Sequence, residues 1–321
     1  MDDGVHRSVD GRDDRRVAAA LRRARQSGTM NTTHGTGIAV RIRGLVKTYG
    51  ERNAVDGIDL DILRGEVFAL LGPNGAGKTT TVEILEGYRR RDAGEVTVLD
   101  ADPGRAGPEW RSRIGIVLQS SVENAELTVE EMIGHFARYY PDPRDVDEVI
   151  DAVGLQEKRR TRTRALSGGQ RRRLDVALGI VGRPELIFLD EPTTGFDPQA
   201  RRSFWDLVRD LRRDGTTVLL TTHYLDEAQA LADRVSVIND GRILAVDTPD
   251  QLGGRLAHRA RVRWADADGE HEEVTETPTR LVARLADRFG GEIPQLEVVR
   301  PSLEDVYLSL IETQQPEGAL R

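Results

Sequence analysis

Glu66-Val67-Phe68-Ala69-Leu70-Leu71-Gly72-Pro73-Asn74-Gly75-Ala76-Gly77-Lys78-Thr79-Thr80-Thr81-Val82-Glu83-Ile84-Leu85 decides the reading of this chain. The apolar run over 66–71 predicts a buried strand, the glycines break it, and the spacing over 79–85 predicts a helix opening directly from the loop. Strand, glycine-rich loop and helix in that order begin a parallel α/β core. Residues 72–79 fit the phosphate-loop pattern G-x-x-x-x-G-K-[ST] in full. Gly72, Gly75 and Gly77 let the backbone wrap tightly enough to aim N–H groups at phosphate oxygens. The new helix adds the positive end of its dipole. Lys78 supplies a mobile cation for the β- and γ-phosphates, and the Thr79 hydroxyl suits a Mg²⁺ ligand. The expected ligand is therefore Mg-ATP.

A second apolar run, 186–189, ends in Asp190 and Glu191. Sites in α/β sheets gather at the C-terminal ends of strands, which places this acidic pair beside the phosphate loop. Asp190 suits the role of holding Mg²⁺, and Glu191 that of a general base for an attacking water.

Outward from these two strands, the 321-residue chain has no apolar stretch long enough to span a membrane. It has no cysteine, which excludes disulfides, thiolate metal sites and Cys nucleophiles. A net charge of −8 argues against general nucleic-acid binding. The basic residues are almost all Arg, and Lys47, Lys78 and Lys158 are the only lysines, so the lysine of the glycine loop stands out. Residues 1–36 are charged and non-periodic and read as a disordered extension without an apolar signal-peptide core. Met30 opens sequence of more compact character and is an alternative start. Residues 38–250 alternate strands and helices, with two helices over 128–139 and 146–153 inside a helical region of about 120–165. After Thr248-Pro249 the composition shifts. Residues 255–312 read as a small α/β appendage, and 313–321 as a disordered tail.

Leu166-Ser167-Gly168-Gly169-Gln170 precedes another helix and offers a second anion site from a hydroxyl, glycine N–H groups and a helix N-terminus. One chain with two phosphate-binding motifs resembles the nucleotide-binding subunits of ATP-binding-cassette (ABC) transporters, whose LSGGQ signature contacts the ATP held by the opposite subunit. The resemblance covers residues 38–247, with the motifs in the family's order. It implies an α/β, P-loop NTPase core of ABC type with a helical subdomain, plus the C-terminal appendage. On it, Tyr49 stacks on adenine, and Gln119 reaches Mg²⁺ and the attacking water. Asp197 of Gly195-Phe196-Asp197-Pro198 crosses the dimer interface, and His223 senses the γ-phosphate. Phe196 departs from the family's usual Leu and keeps the position apolar. The ATP-binding set it implies is Tyr49, Gly72, Pro73, Asn74, Gly75, Ala76, Gly77, Lys78, Thr79 and Thr80. Ser167, Gly168, Gly169, Gln170 and Asp197 join from the interface side. Glu191, His223, Gln119 and Lys78 form its catalytic group, and Thr79, Gln119 and Asp190 its Mg²⁺ group.

Two features resemble the ATPases of drug and antibiotic exporters of the daunorubicin-resistance type more narrowly: Thr248-Pro249-Asp250-Gln251-Leu252, and Pro301-Ser302-Leu303-Glu304-Asp305-Val306-Tyr307-Leu308. The resemblance implies a homodimer with two ATPs at its interface and a separate transmembrane permease. It places the chain in the cytoplasm, on the inner face of the cell membrane, with no nucleic acid expected. The alternatives are an ABC transporter of the other direction, or a soluble ABC-type ATPase acting on nucleic acid or ribosomes. The latter's relatives carry coiled coils, zinc insertions or two cassettes, none of which this sequence shows.

Overall fold

The computed structural model describes residues 37–117, 126–254 and 259–312. The proposed extension, Gln119 and the proposed tail lie outside them. Ile38–Tyr49 (β1) and Arg52–Leu63 (β2) form an antiparallel hairpin, and Ala93–Val98 (β4) pairs with the other edge of β1. The buried strand Val67–Leu71 (β3) leads through the glycine loop into Lys78–Leu85 (α1). Pro108–Arg111 (α2) and Ile114–Val117 (β5) follow.

Beyond 125, Val129–Ala137 (α3), Val146–Ala152 (α4) and Gly168–Ile180 (α5) form the helical region. Local chemistry starts each of these helices. Thr128 and Glu131 close a reciprocal capping box on α3, Asp145 caps α4, and Ser167 with Gln170 closes a second box on α5. Leu186–Asp190 (β6), Pro198–Arg213 (α6), Thr217–Thr222 (β7), Leu225–Leu231 (α7), Arg234–Asn239 (β8) and Arg242–Asp247 (β9) complete the cassette.

The main sheet runs β5-β6-β7-β3-β8-β9, parallel except for β9. Its central strands are apolar on both faces because both are covered. Alternation along each strand divides the side chains between two cores. Val67, Ile187, Leu189, Val218 and Leu220 face the helices α3 to α6. Phe68, Leu70, Leu186, Phe188 and Leu219 face α1 and the antiparallel sheet. Each fully buried side chain such as Phe188 contributes about 1.5–3 kcal/mol. Where α5 crosses β5 the backbones nearly touch: a Cβ on Gly115 would lie 2.2 Å from the Gly179 carbonyl oxygen.

Ala260–Asp266 (β10), Gly269–Thr275 (β11) and Glu297–Val299 (β12) form a separate antiparallel sheet in the order β11-β10-β12. Pro278–Phe289 (α8) packs on it through Leu281 and Leu285 against Val262 and Trp264. Leu303–Glu312 (α9) leaves that sheet. Its Leu303 and Val306 are buried with Ala69, Leu71, Ala228, Val235 and Val237, on the cassette. No helix among the described residues is long and apolar enough to cross a membrane.

Candidate functional site

The phosphate loop is pressed between two other strands of the fold. A Cβ on Gly77, the residue before α1, would lie 2.3 Å from the Ala54 carbonyl of β2, and Gly77 has φ 107°. A Cβ on Gly72 would lie 2.3 Å from the Ile238 carbonyl of β8. Only glycine fits at either place. Lys78 is 5% exposed and folds back on the loop, its Nζ donating to the Gly72 carbonyl at 2.7 Å and the Pro73 carbonyl at 3.1 Å. Burial holds its pKa below the usual lysine value, opposed by the charges of Glu191 and then Asp190. Thr79 stands exposed at the start of α1, with Thr80 half-buried beside it.

Asp190 ends β6, and Glu191 follows with φ 44°, a left-handed conformation rare for a non-glycine residue. His223 follows β7 and brings Nδ1 to 3.3 Å from Glu191 Oε1. Its other side is braced: the Tyr224 ring lies 4.1 Å from the His223 ring, and Arg201 of α6 sits 4.7 Å over Tyr224. Burial pushes the Glu86 carboxyl, at the end of α1, up to about 8, with Asp190 and Glu83 adding repulsion.

Lys78, Thr79, Glu191 and His223 open onto one cleft of about 820 Å³, with Tyr49 and Asn74 also in its lining, whereas Asp190 and Glu86 are not among its lining residues. Tyr49 ends β1 with 43% exposure, and the cations of Lys47 and Arg89 lie 5.5 and 5.4 Å from its ring centre. Another cavity, of about 540 Å³, lies near Arg64, Arg144, Glu185 and Asp214. Its charges are already paired, Arg64 with Glu185 at 2.8 Å and Arg144 with Asp214 at 3.3 Å, so it has no comparable claim on an anion.

The second glycine motif is not among the residues lining the cleft. The Ser167 Oγ accepts the Gln170 N–H at 3.3 Å, and Gln170 Oε1 accepts the Ser167 N–H at 3.1 Å. A Cβ on Gly168 or Gly169 would meet nothing within 4 Å. Both lie within α5, so neither backbone conformation nor packing among the described residues calls for glycine there. Asp197 caps α6, its Oδ1 accepting the Ala200 N–H at 2.8 Å, and Phe196 is buried with its ring centre 6.0 Å from that of Phe204.

Three groups at the site escaped the reading of the sequence. Arg172, buried on α5, donates to the carbonyls of Pro192 at 3.0 Å and Asp190 at 2.7 Å, tying the signature helix to the acidic strand end. Thr221 of β7 donates to the Asp190 carboxylate. Glu227 of α7 is wholly buried, and Trp205 of α6 donates to it at 3.4 Å. Burial raises the Glu227 pKa, against the hydroxyls of Thr222 and Thr193. Arg172 follows the signature closely and so had a positional signal, whereas Thr221 and Glu227 had none.

The family model described as ABC transporter matches residues 55–194. The chain is 40% identical over 306 residues to daunorubicin resistance ATP-binding protein DrrA2 of Streptomyces coeruleorubidus, over 85% of this chain and 95% of that protein. It is 39% identical over 261 residues to a fluoroquinolones export ATP-binding protein of Mycobacterium tuberculosis, over 80% of this chain and 85% of that one. Among solved structures, an ATP-binding cassette of an ABC transporter in its ADP conformation matches with a TM-score of 0.59 at 26% identity, covering 66% of this chain and 92% of the other. The phosphate loop, the acidic strand end and the LSGGQ helix occupy one cassette fold: the chain belongs to the ABC transporter family, as an ATP-binding and ATP-hydrolysing subunit.

Proposed function

We propose that this subunit powers export of a drug, antibiotic or lipid-like compound through a separate permease, as a homodimer on the inner face of the cell membrane. ABC cassettes in general act as dimers with transmembrane partners. The observation that carries the dimeric site is the pair Gly168 and Gly169, which stand in open space away from the cleft. Glycines that their own chain does not need suit the close approach of another molecule's phosphates. In this reading Ser167–Gln170 of one copy closes over the ATP held by residues 72–80 of the other, with Asp197 at the interface. Similarity along nearly the whole of a daunorubicin resistance ATP-binding protein supports the exporter reading.

Within each site, Tyr49 stacks on the base and Lys78 exchanges its two loop carbonyls for phosphate oxygens. Glu191 accepts a proton from the attacking water, and His223, 3.3 Å from Glu191, orients it and contacts the γ-phosphate. The residues present fit Mg²⁺. That ion takes oxygen ligands and keeps several waters, so it needs few protein groups beside the phosphates. The Thr79 hydroxyl and the Asp190 carboxylate would hold it, Gln119 completing the set, and it would neutralise charge developing on the phosphates. Loss of the bridging γ-phosphate reopens the dimer, an ATP-biased two-state element.

The test is recovery of tagged Glu191→Gln from native membranes with Mg-ATP. Retained nucleotide, a dimer and a co-purifying polytopic membrane protein are expected. Ribosomes or RNA in place of the membrane protein would sink the transporter reading, and wild-type turnover would sink the role of Glu191.

A further inference from the structure

The strands β6 and β7 run parallel in register, with Asp190 opposite Thr221. Thr221 is 1% exposed, and its hydroxyl donates to Asp190 Oδ1. The Thr221 Oγ1 in turn accepts the Glu191 N–H at 3.2 Å, and the Thr221 carbonyl accepts the same N–H at 3.0 Å. A hydroxyl has one proton and two lone pairs, and here the proton and one lone pair are committed to two adjacent acidic residues. Glu191 is also the residue with φ 44°, a conformation that persists only where its surroundings hold it. The neighbouring Thr222 faces the other side of the strand, as alternation requires, and its Oγ1 accepts the Tyr224 N–H at 2.9 Å. The two threonines therefore do different work, and valine could replace Thr221 in shape but not in hydrogen bonding.

We propose that Thr221 is a positioning residue for hydrolysis. Its hydroxyl fixes Asp190 Oδ1, which sets the plane in which Oδ2 is presented to Mg²⁺ and its waters, and it pins the Glu191 backbone so that the carboxylate stays on the His223 side of the cleft. This rests on the reading of Asp190 as the metal-holding carboxylate and Glu191 as the base. Thr221 acts through both and touches neither nucleotide nor metal.

The experiment compares Thr221→Val and Thr221→Ser in the full chain. ATP affinity is measured by calorimetry with Mg²⁺ and with a chelator in its place, alongside steady-state turnover and the melting temperature. For Thr221→Val, Mg²⁺-free ATP binding is expected to stay within about twofold, while the gain in affinity from Mg²⁺ and kcat both fall by about 10- to 100-fold, the usual cost of losing a partner that orients a metal ligand. Thr221→Ser should restore most of both. Wild-type Mg²⁺ dependence and kcat in Thr221→Val would overturn the proposal, and so would a serine variant as defective as the valine one. If Thr221→Val fails to fold, Thr221→Ala set against Thr221→Ser carries the same comparison. Asp190→Asn separates the two levels. If it leaves the Mg²⁺ dependence of binding unchanged, the metal role of Asp190 fails and the Thr221 proposal falls with it. If it removes that dependence while Thr221→Val does not, the Thr221 proposal alone fails.

Discussion

Glu66 sits at the entrance to β3 and shows what a single buried carboxyl does to stability. Its carboxylate accepts the Leu63 N–H at 2.6 Å and lies 3.2 Å from Arg234. Burial nonetheless dominates and pushes its pKa from 4.5 up to about 7. Between those two values the folded chain keeps a proton that the unfolded chain has released, so this group's contribution to stability falls as pH rises through the window and levels off above it. Glu66→Gln keeps a carbonyl acceptor for Leu63 and removes the titration. In urea unfolding, the variant should gain about 1–3 kcal/mol relative to the wild type between pH 5 and pH 8. A gap that does not change with pH would contradict the assignment. At this scale the sequence singled out the loop 72–80 and Asp190 with Glu191 by local order, and His223 only through the resemblance. Thr221 and Glu227 stayed hidden because their partners are set by strand register and helix packing, and no local spacing encodes those.

Elements were legible where apolar periodicity was strong and the ends were chemically marked. The helix expected over 128–139 is found as Val129–Ala137, and that expected over 146–153 as Val146–Ala152. At its turn the hairpin of β1 and β2 runs beyond its apolar centres, because pairing extends into polar residues such as Thr48 with Asn53. Three strands carry little apolar signal. In β4 only Val96 and Val98 are buried, and β5 is a four-residue run. The edge strand β11, GEHEEVT, has no buried residue at all and is held by cross-strand pairs such as Arg263 with Glu272 at 2.8 Å. Edge strands are defined by their neighbour, so hydrophobic pattern says little about them. Cap chemistry supplies a prediction here. The Thr128 Oγ1 accepts the Glu131 N–H at 3.3 Å while Glu131 accepts the Thr128 N–H at 2.9 Å. Thr128→Ala removes half of this box and should lower stability by about 0.5–2 kcal/mol. Chemical denaturation measures it, and an unchanged midpoint would mean that α3 is held by its buried face alone.

For the whole molecule, the parallel α/β core followed from the order of strand, loop and helix and its cassette type from the resemblance carried by the LSGGQ motif, while the topology of the sheet did not. β3 lies between β7 and β8, strands that come far later in the chain, and only packing could reveal that arrangement. The same limit applied to α9, which sequence grouped with the appendage and whose apolar face is buried on the cassette. Symmetry offers the test that belongs at this level. Lys78→Ala spoils the phosphate loop and Ser167→Arg spoils the signature, so either variant alone should lose turnover. A mixed dimer pairs the intact loop of one copy with the intact signature of the other. Mixing the two proteins should therefore restore part of the activity, and mixed dimers that form without recovery would count against sharing of sites between subunits.

The burial of Leu303 and Val306 against Ala69 and Leu71 has a consequence for how the protein comes to be made. The layer around β3 and β8 cannot close until residues more than two hundred positions downstream of β3 have been synthesised. Contacts of such long range are slow to form. A ribosome partway through the message thus carries a cassette whose β8 flank is bare and apolar. That interval is when a nascent-chain chaperone would be needed most.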